Sequence, residues 1–555
     1  MKKFTKNLFW SDTGWLVLLL VFIIPASLPL LHRGFYYFSD EPHIANLYQM
    51  IRAIGSGQIP PRWAPDMSYN YGYPLFNFYY PLPFYIGALF YELTGSLVIS
   101  LKMLFLLTIP ASSMLMYKWL RLHADKLTSF TGALVYTFTP YRAVDLYIRG
   151  ALGELYAFIF FPLIAYFVYK VAKSGETKDI GFLSLFTALL ILSHNLAPLI
   201  FMPGVFIYGF IISLTTFKNR NYIKIFEGII VGFLISAFFW MPSLIEQKYL
   251  VSITPFNYKD HFPFIKQLII PSWGYGASNP GVYDDMSFQI GLVNISLIIV
   301  TAIFVYKKGL KNIEATIFLA ATLLILFMMN IRSTFIWEIS TLSKFIQFPW
   351  RLLMLTAFLT SSMVIFINSR TKIGKILLIV LIMFSLLAGL AYFKPSEYYN
   401  PDDNYFLKRF FANRLSAGKS QESLIYKNYS EDYLLLPVWA RDRPSELQSA
   451  KFTSDDLVII GITEHTSIDY TAEVNGKGDL YFNSYYFPGW YAEVNGNEVP
   501  TEIKEPNGNI KIHLDGTPAT VRVYWKETPF RLFTDFLSLA GFALAGLLIL
   551  KKKHE

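Results

Sequence analysis

Residues 36–83 read YYFSDEPHIANLYQMIRAIGSGQIPPRWAPDMSYNYGYPLFNFYYPLP and follow directly on an apolar segment at Trp15–Leu31. This stretch is too polar to form membrane core and too rich in aromatic residues to be an ordinary solvated loop. Two adjacent carboxylates, Asp40 and Glu41, stand at its front, and an aromatic run from Tyr69 to Tyr85 overlaps its end. Carboxylates beside aromatic rings at a bilayer surface suit sugar chemistry on a lipid carrier. The stretch therefore predicts a site in the first outer loop of a polytopic membrane protein.

The composition supports a membrane protein. The 555 residues are 54% hydrophobic and 16% charged, with a mean hydropathy of +0.39, whereas soluble domains carry about 25% charged residues. The sequence contains no cysteine, which excludes disulfides, thiolate zinc ligands and a cysteine nucleophile. The net charge of +9 does not indicate a nucleic-acid partner, because lysine and arginine cluster between apolar segments as membrane topology requires.

About twelve apolar segments approach the ~20 residues that a spanning helix needs. They are Trp15–Leu31, Val98–Lys118, Leu127–Pro140, Ala151–Val171, Ile180–Ser193, Ala197–Thr216, Ile225–Ile245, Phe288–Tyr306, Ile313–Asn330, Leu352–Asn368, Ile373–Phe393 and Leu532–Leu550. Basic clusters fall in alternate connectors and at both ends, so both termini are predicted to be cytoplasmic in a plasma-membrane protein. The basic start lacks a small-residue cleavage site, which predicts a retained first helix.

The sequence after Phe393 changes to a soluble composition. Residues 394–450 are polar and irregular, and short alternating segments then follow, separated by Asn-Gly at 475–476, 495–496 and 507–508 and by Asp-Gly at 515–516. These are strong hairpin signals. We therefore predict three parts: a multi-helix domain at 1–393 with a large first outer loop at 32–97, an extracytoplasmic β-sandwich-like domain at 394–531, and a helical anchor with a basic cytoplasmic tail at 532–555.

The pair Asp40 and Glu41 has two interpretations. A carboxylate at the membrane surface can deprotonate or orient an acceptor hydroxyl while a phosphate leaves the anomeric carbon of a sugar. Alternatively, Ser39 or Asp40 caps a helix that starts near Pro42, since acidic and hydroxyl residues are favoured at the cap and proline early in the first turn. Capping uses one side chain and leaves the other available, so both interpretations can hold together.

Four arginines are predicted on the outer face, where the positive-inside rule does not place them: Arg62, Arg142, Arg149 and Arg351. Arginine offers planar bidentate donors that suit phosphate, so Arg62, Arg149 and Arg351 are candidate phosphate ligands. For any one of them, snorkelling to the interface is the alternative. Arg149 has a further alternative, an ion pair with Asp145 and Glu154.

Other candidate substrate contacts lie deeper or in the aromatic run. His194 and Asn195 stand between two short apolar segments, and Glu154 lies just inside a helix on the same face. Ionisable residues at such depth are functional hypotheses, although a histidine that satisfies a turn backbone is the alternative. In the first outer loop the candidate substrate contacts are Trp63, Asp66 and Tyr71. The alternative for the aromatic residues there is an interfacial aromatic belt.

No cofactor is indicated with certainty. A divalent metal ion is an open alternative, for which Asp40, Glu41 and His43 form a conceivable cluster whose spacing is not diagnostic. The ligands of any metal are therefore unknown from the sequence.

The run from SDEPHIANLYQ to PLPFYIGALF resembles the first outer loop of a bacterial membrane-protein family labelled "6-pyruvoyl-tetrahydropterin synthase related". The blocks YRAVDLYIRGALGELYAF, LSHNLAP and IQFPWRLL follow in that family's order, and the resemblance spans most of residues 10–395. The segment FPGWYAEVNG at 487–496 is similar to the β-domain of large bacterial membrane proteins proposed to glycosylate envelope polymers. Pterin synthase activity is not expected, because the sequence supplies no zinc-binding histidine cluster in a soluble core.

In architecture the chain resembles the GT-C class of membrane glycosyltransferases, which includes protein mannosyltransferases and aminoarabinose transferases. The resemblance implies a catalytic acidic residue at Asp40, with Glu41 as its neighbour in a dyad. It also implies a polyprenyl-phosphate-linked sugar as donor, held by the outer-face arginines. The expected reaction is an inverting transfer at the lipid bilayer to an envelope glycan, lipid or protein acceptor, which the resemblance does not identify.

Two other functions stay open. A transporter or flippase of lipid-linked sugars would typically show paired broken helices in two related halves with charges at the midplane, whereas here the polar residues crowd the outer face and the halves do not match. A non-catalytic protein of envelope polysaccharide assembly would bind glycan through the β-domain. Absence of turnover with an intact Asp40 would favour that last function.

Overall fold

The computed structural model describes residues 11–251, 257–340, 342–411, 436–442, 450–516 and 518–551. Its longer α-helices are Asp12–Phe22, Ile24–Leu31, His43–Gly55, Leu82–Thr94, Leu97–Leu120, Lys126–Thr137, Leu152–Ser174, Thr177–Ser193, Ala197–Thr215, Tyr222–Ile235, Ala237–Ile245, Leu292–Lys308, Ile313–Met328, Leu353–Ser362, Lys372–Tyr392, Asp403–Phe411 and Pro529–Leu550. Short α-helices are Leu75–Phe78, Pro140–Val144, Ile265–Ile269 and Thr334–Ile339.

All of the predicted apolar segments are helical. In the described ranges, 7 helices are long and apolar enough to cross a membrane, or up to 10 spans if each of 3 bent helix pairs counts as one. The helices Lys126–Thr137 and Thr177–Ser193 are shorter, at 12 and 17 residues. The prediction of a polytopic helical protein is confirmed, whereas about twelve crossings and the sidedness of the loops stay predictions. The basic cluster at 1–6 lies outside the described residues.

Local sequence sets the ends of the short helix Lys126–Thr137. Asp125 caps its start, because its carboxylate accepts a hydrogen bond from the Thr128 backbone N–H at 3.0 Å, one of the donors that a helix N-terminus leaves without a backbone partner. At the other end Thr139 is extended, the conformation that a following proline favours, here Pro140. The chain therefore turns early and places residues 140–150 beside the first outer loop.

Proline also explains a hydrogen bond between the first outer loop and a helix of the bundle. The pair Tyr222–Ile235 and Ala237–Tyr249 is bent by 72°, and Pro242 lies inside the second helix. Proline has no backbone N–H, so the carbonyl four residues earlier, that of Phe238, lacks its helical donor. Arg62 of the first outer loop donates to that carbonyl oxygen at 2.6 Å.

The C-terminal domain consists of two antiparallel sheets. Its strands are Phe452–Ser454 (β3), Val458–Thr466 (β4), Asp469–Asn475 (β5), Gly478–Tyr485 (β6), Trp490–Val494 (β7), Asn497–Val499 (β8), Glu502–Lys504 (β9), Asn509–Leu514 (β10) and Ala519–Trp525 (β11). The order is β3-β6-β10-β9 in one sheet and β4-β5-β11-β7-β8 in the other. Fully buried side chains such as Phe482, Ile512 and Val521 form its core, and the predicted antiparallel β-domain is confirmed.

The predicted turns have two roles. Asn495 and Gly496 both have positive φ and join β7 to β8 in a two-residue hairpin, and Asn507-Gly508 lies in the loop between β9 and β10. The pairs at 475–476 and 515–516 instead carry the chain from one sheet to the other. Reading those two pairs as hairpins was therefore wrong, because a tight turn fixes a reversal but not the sheet that the next strand joins.

Residues 395–411, which we name the strap, connect the helical domain to the β-domain. The sequence predicted irregular structure here, but the strap contains a strand, Tyr398–Tyr399 (β2), and the helix Asp403–Phe411. Strand β2 pairs antiparallel with Phe35–Tyr36 (β1) at the start of the first outer loop. Asp403 accepts hydrogen bonds from the backbone N–H groups of Leu97 and Val98 at 2.8 and 3.0 Å. The strap is therefore ordered by pairing and capping that are remote in sequence.

Labelling of single cysteines tests the predicted sidedness. Because the chain has no cysteine, Asp515→Cys in the β-domain and Leu310→Cys in a basic connector each introduce one thiol at an exposed position. On intact cells, a membrane-impermeant maleimide is expected to label the Asp515→Cys protein and to spare the Leu310→Cys protein until the membrane is permeabilised. The opposite labelling pattern would show that the topology is the reverse of the predicted one.

Candidate functional site

A cavity of about 330 Å³ lined by charged and aromatic side chains lies between the first outer loop and the ends of the bundle helices. Four separate stretches of the sequence line it, and apart from Phe345 their lining residues all belong to the blocks identified above. The lining residues are Asp40, Asn46, Tyr73, Leu75, Tyr79, Tyr80, Arg149, Ala151, Gly153, Glu154, His194, Asn195, Leu196, Phe345, Gln347 and Arg351. The cavity therefore brings together six of the predicted site residues: Asp40, Arg149, Glu154, His194, Asn195 and Arg351.

Backbone hydrogen bonds fix Asp40 at the cavity wall. The backbone N–H groups of Ser39 and Asp40 donate to the carbonyl oxygens of Ile148 and Arg149 at 2.9 and 2.8 Å. The following helix starts at His43 with Pro42 at its cap and no side-chain capping bond, so capping by Ser39 or Asp40 side chains is wrong. The Asp40 side chain is 36% exposed and lies 3.9 Å from His43 Nε2. Its carboxylate is therefore available to a molecule in the cavity.

The segment facing Asp40 is a π-helix at Asp145–Arg149. Such turns are rare and frequently occur at functional sites. Gly150 ends it with a φ of +68°, and a Cβ there would lie 2.1 Å from Phe38 Cδ2. Only glycine combines that left-handed conformation with so close an approach. The π-turn and Gly150 together bring the Arg149 carbonyl within reach of the Asp40 backbone.

Arg149 is held by partners of its own. Its guanidinium donates to Asp145 Oδ1 at 2.6 Å, to Glu154 Oε1 at 2.9 Å and to the Tyr141 hydroxyl at 3.2 Å. It also lies 4.8 Å from the centroid of the Trp350 ring. Burial would lower the pKa of Arg149, but the surrounding Glu154, Tyr141 and Asp145 raise it well above its ordinary value. The predicted internal ion pair is present, and Arg149 also faces the cavity.

Arg351 is less fully paired. Its Nε lies 3.5 Å from Glu154 Oε1, and its guanidinium carbon lies 5.3 Å from the centroid of the Phe348 ring. Across the ranges that the structure describes, the buried Nε has no hydrogen-bond acceptor. Arg351 therefore brings a positive charge and an unsatisfied N–H donor to the cavity, next to a carboxylate that Arg149 already neutralises.

His194 satisfies the backbone of its turn and also lines the cavity. Its Nδ1 accepts hydrogen bonds from the backbone N–H groups of Leu196 and Ala197, both at 3.0 Å, so it satisfies the turn. Burial lowers the pKa of His194 to about 4, so the ring is neutral at pH 7 and its proton sits on Nε2. Its ring stacks on Tyr80 with 5.7 Å between centroids. The adjacent Asn195 donates through Nδ2 to the Phe78 carbonyl at 2.7 Å.

The remaining predicted site residues are not among those that line the cavity. Glu41 forms an ion pair with Arg409 at 2.9 Å. Three others connect the first outer loop to the C-terminal part of the chain: Arg62 pairs with Glu527 and Asp535, Trp63 packs on Trp490 and Trp525, and Tyr71 stacks on Tyr485. Asp66 pairs with Arg52 within the loop itself. Their predicted catalytic and substrate-binding roles stay untested, and their contacts account for their burial.

Several cavity residues were not singled out from the sequence. Tyr73, Tyr79 and Tyr80 belong to the aromatic run, whose periodicity does not distinguish a lining ring from a packed one. Asn46 lies one turn after His43, on the helix that begins beside Asp40. Gln347 lies within the IQFPWRLL block, and its place in that block is the sequence signal that could have identified it.

Asp40, Glu41 and His43 are not arranged around a common metal position. The Glu41 carboxylate forms an ion pair with Arg409. Burial lowers the pKa of His43, although the nearby Asp40 opposes this. Over the residues that the structure describes, no group of three or more His, Asp or Glu side chains is placed to hold a metal ion. The described structure therefore does not arrange Asp40, Glu41 and His43 as a metal-binding group.

The fold and the site define a class: polytopic helical membrane proteins with a β-rich C-terminal domain and a charged cavity under the first outer loop. Residues 76–396 match the family described as "6-pyruvoyl-tetrahydropterin synthase related domain; membrane protein". This match covers more than half of the chain, so the chain belongs to that family. The family assignment predicted from the sequence blocks is confirmed.

Two further proteins are similar to parts of the chain. A Lactococcus lactis subsp. cremoris (strain MG1363) protein described as uncharacterized is 24% identical over 245 residues, which are 42% of this chain and 39% of that protein. The cryo-electron microscopy structure of arabinofuranosyltransferase AftD from mycobacteria is 12% identical with a TM-score of 0.44, over 72% of this chain and 28% of that one. Because both matches cover well under half of the other protein, the activity has to be argued from the cavity itself.

Proposed function

We propose that this protein is a membrane-embedded, inverting glycosyltransferase that moves a sugar from a polyprenyl-phosphate donor to an envelope glycan, lipid or protein acceptor on the outer face. The observation that carries the proposal is the pairing of an accessible carboxylate, Asp40, with an incompletely paired guanidinium, Arg351, in one cavity. Transfer from a lipid phosphate needs a base for the acceptor and a cation for the leaving group.

In the proposed step, the acceptor hydroxyl gives its proton to Asp40 as its oxygen attacks the anomeric carbon of the sugar. The bond between that carbon and the phosphate oxygen breaks on the opposite side, which inverts the configuration. The bonding electrons leave with the oxygen, so the lipid phosphate gains one negative charge. Arg351 stabilises that charge, and Asp40 later releases its proton to solvent.

The contacts of the four outer-face arginines favour Arg351 as the phosphate ligand. Arg62 already binds two carboxylates and a carbonyl oxygen. Arg142 is fully buried and donates to the Thr108 carbonyl at 2.8 Å. Arg149 has three side-chain partners within 3.2 Å. In the described ranges Arg142 also has nitrogens without an acceptor, but it does not line the cavity. Of the two arginines that line the cavity, Arg351 is the one that can bind a phosphate without first breaking such bonds, and the Nε2–H group of His194 offers a neutral donor there.

The other parts of the chain would support this reaction. In the proposed orientation the cavity and the β-domain face outward from the plasma membrane, and both termini are cytoplasmic. A lipid-linked donor suits that orientation because nucleotide sugars are cytosolic. The β-domain, which packs on the first outer loop through Trp63 and Tyr71, would bind or present the acceptor.

Release of polyprenyl phosphate from a panel of donors tests the function directly. Purified protein in lipid is incubated with radiolabelled polyprenyl-phosphate sugars, with and without envelope glycan fractions as acceptor. Release that depends on both protein and acceptor supports a glycosyltransferase and identifies its donor. If folded protein releases nothing from any donor but moves the same lipids across the bilayer, the function is a flippase and the proposal is wrong.

Arg351→Gln is expected to lower kcat/KM for the donor by roughly 10- to 100-fold, because a charge-assisted hydrogen bond contributes about 1.5–3 kcal/mol and each 1.4 kcal/mol is a factor of ten. The matched control is Arg332→Gln, which alters an exposed arginine in the same connector that does not line the cavity. Steady-state kinetics with the donor identified above measure both. An equal effect of the two substitutions would contradict the phosphate role of Arg351.

A further inference from the structure

The strap, residues 395–411, lies directly against the segment that carries Asp40. Strands β1 and β2 pair Phe35 with Tyr399 and Tyr36 with Tyr398. The ring of Tyr37 stacks on that of Tyr399 with 4.1 Å between centroids and 5° between planes. A Cβ on Gly34 would lie 2.3 Å from the Tyr399 carbonyl oxygen, so the two backbones are in close contact. Residues 34–37 are therefore held on one side by the strap.

The strap is anchored to the helical domain at two points. Asp403 caps the helix Leu97–Leu120, because its two carboxylate oxygens accept from the first backbone N–H groups of that helix, where a negative charge is also favoured by the helix dipole. At the far end, Phe411 packs on Tyr48 with 5.2 Å between ring centroids. The strap is thus fixed at both ends.

Between these anchors, the strap contacts the residue next to Asp40. Arg409 Nη2 lies 2.9 Å from Glu41 Oε2, and the Glu41 side chain is only 6% exposed. Arg409 Nη1 in turn donates to the Tyr405 hydroxyl at 3.0 Å. On the opposite side, the backbone N–H of Asp40 is bound to the Arg149 carbonyl. Asp40 therefore sits between two fixed points, the π-turn and the Glu41–Arg409 pair.

We propose that Arg409 is a positioning residue that acts through Glu41 to hold the carboxylate of Asp40 at the cavity wall. A buried carboxylate without its cation partner has to move toward water or take up a proton. Loss of Arg409 would therefore displace Glu41 and, through the shared backbone, Asp40. This assigns Glu41 a structural task beside Asp40 and leaves the base chemistry to Asp40 alone.

The proposal rests on the proposed function only for its kinetic test. Displacing a catalytic group by about 1 Å can cost about 100-fold in rate, so Arg409→Gln is expected to lower kcat by roughly 10- to 100-fold with the donor KM within about twofold of the original. Arg409→Lys keeps the charge and is expected to recover most of that loss. The control is Arg441→Gln, which removes an arginine from an exposed ion pair with Glu505 and is expected to leave kcat unchanged.

A second measurement does not need the enzyme to be active. Asp40→Cys places the single thiol of the chain at the cavity wall, and its reaction rate with a water-soluble maleimide reports how firmly the segment is held. Adding Arg409→Gln is expected to raise that rate at least fivefold, adding Arg409→Lys to raise it less, and adding Arg441→Gln to leave it unchanged. Equal rates in all four proteins would overturn the positioning role. If no donor is ever turned over, the proposed function fails and the labelling rates still decide this inference.

Discussion

Asp40→Asn is expected to abolish sugar transfer, with a loss in kcat of about 10²- to 10⁴-fold, the range that a general base contributes. Asparagine has the shape of aspartate but its amide does not accept a proton at neutral pH, so the acceptor hydroxyl loses its base. The Asp40 side chain is partly exposed and is held through its backbone. The substitution should therefore leave the fold and donor binding intact. Release of radiolabelled polyprenyl phosphate under single-turnover conditions measures the loss.

Glu41→Gln is the matched control for that substitution, since it makes the same chemical change at the neighbouring position. Glutamine keeps a carbonyl oxygen that accepts a hydrogen bond from Arg409, so its loss of rate should be much smaller than that of Asp40→Asn. The reverse ranking would make Glu41 the base. Full transfer by Asp40→Asn, with an unchanged melting temperature, would contradict any catalytic role for Asp40.

The helical fold was predictable because each apolar segment carries its own signal. A run such as Ala197–Thr216 has to be a helix in a membrane, since its backbone groups have no other partners there. The strap was not predictable, because its contacts join residues that are hundreds of positions apart in the sequence. Strand β2 pairs with β1, Arg409 pairs with Glu41, and Asp403 binds the backbone of Leu97. Local sequence carries no signal for such pairings, and the polar composition of 394–450 predicts irregular structure.

The same distinction holds for the site. Asp40, Glu154, His194 and Arg351 stand out in the sequence because charged residues are costly among apolar segments, and the structure brings them to one cavity. Charge alone does not say where a partner lies, so Arg62 and Arg149 looked as available for phosphate as Arg351 does. Their acceptors, including Asp535 and Glu527 at the far end of the chain, become visible only in three dimensions.

The first outer loop serves two purposes, which explains its unusual composition. Its ends, near Asp40 and at Tyr79–Tyr80, line the cavity. Its middle faces the β-domain, where the backbone carbonyl of Tyr71 accepts hydrogen bonds from Ser484 Oγ and the Tyr485 N–H at 2.8 and 3.1 Å. An aromatic run of this length is therefore partly a binding surface and partly a domain interface, and the sequence does not divide the two.

The last prediction concerns the buried ion pair that fastens this interface. Arg531, at the start of the C-terminal helix, donates to both carboxylate oxygens of Glu246 at 2.9–3.1 Å and to the Pro488 carbonyl at 2.8 Å. Glu246 also accepts from Asn77 Nδ2 at 2.8 Å. The exposed fractions of the Arg531 and Glu246 side chains are 0% and 5%. One guanidinium thus ties the last helix, the β-domain and the helical domain together.

Arg531→Met is expected to lower the free energy of unfolding by about 3–5 kcal/mol, the cost of leaving a buried charge without its partner. Arg522→Met is the matched control, because Arg522 binds Asp469 in the same two-pronged way while 46% exposed, and exposed pairs contribute only about 0–1 kcal/mol. Adding Glu246→Gln to Arg531→Met removes the stranded charge and should recover at least half of the loss. Denaturant titration in detergent micelles measures all three proteins. Equal losses for Arg531→Met and Arg522→Met would mean that water reaches the Glu246 pair, and the interface would then be held by its aromatic contacts instead.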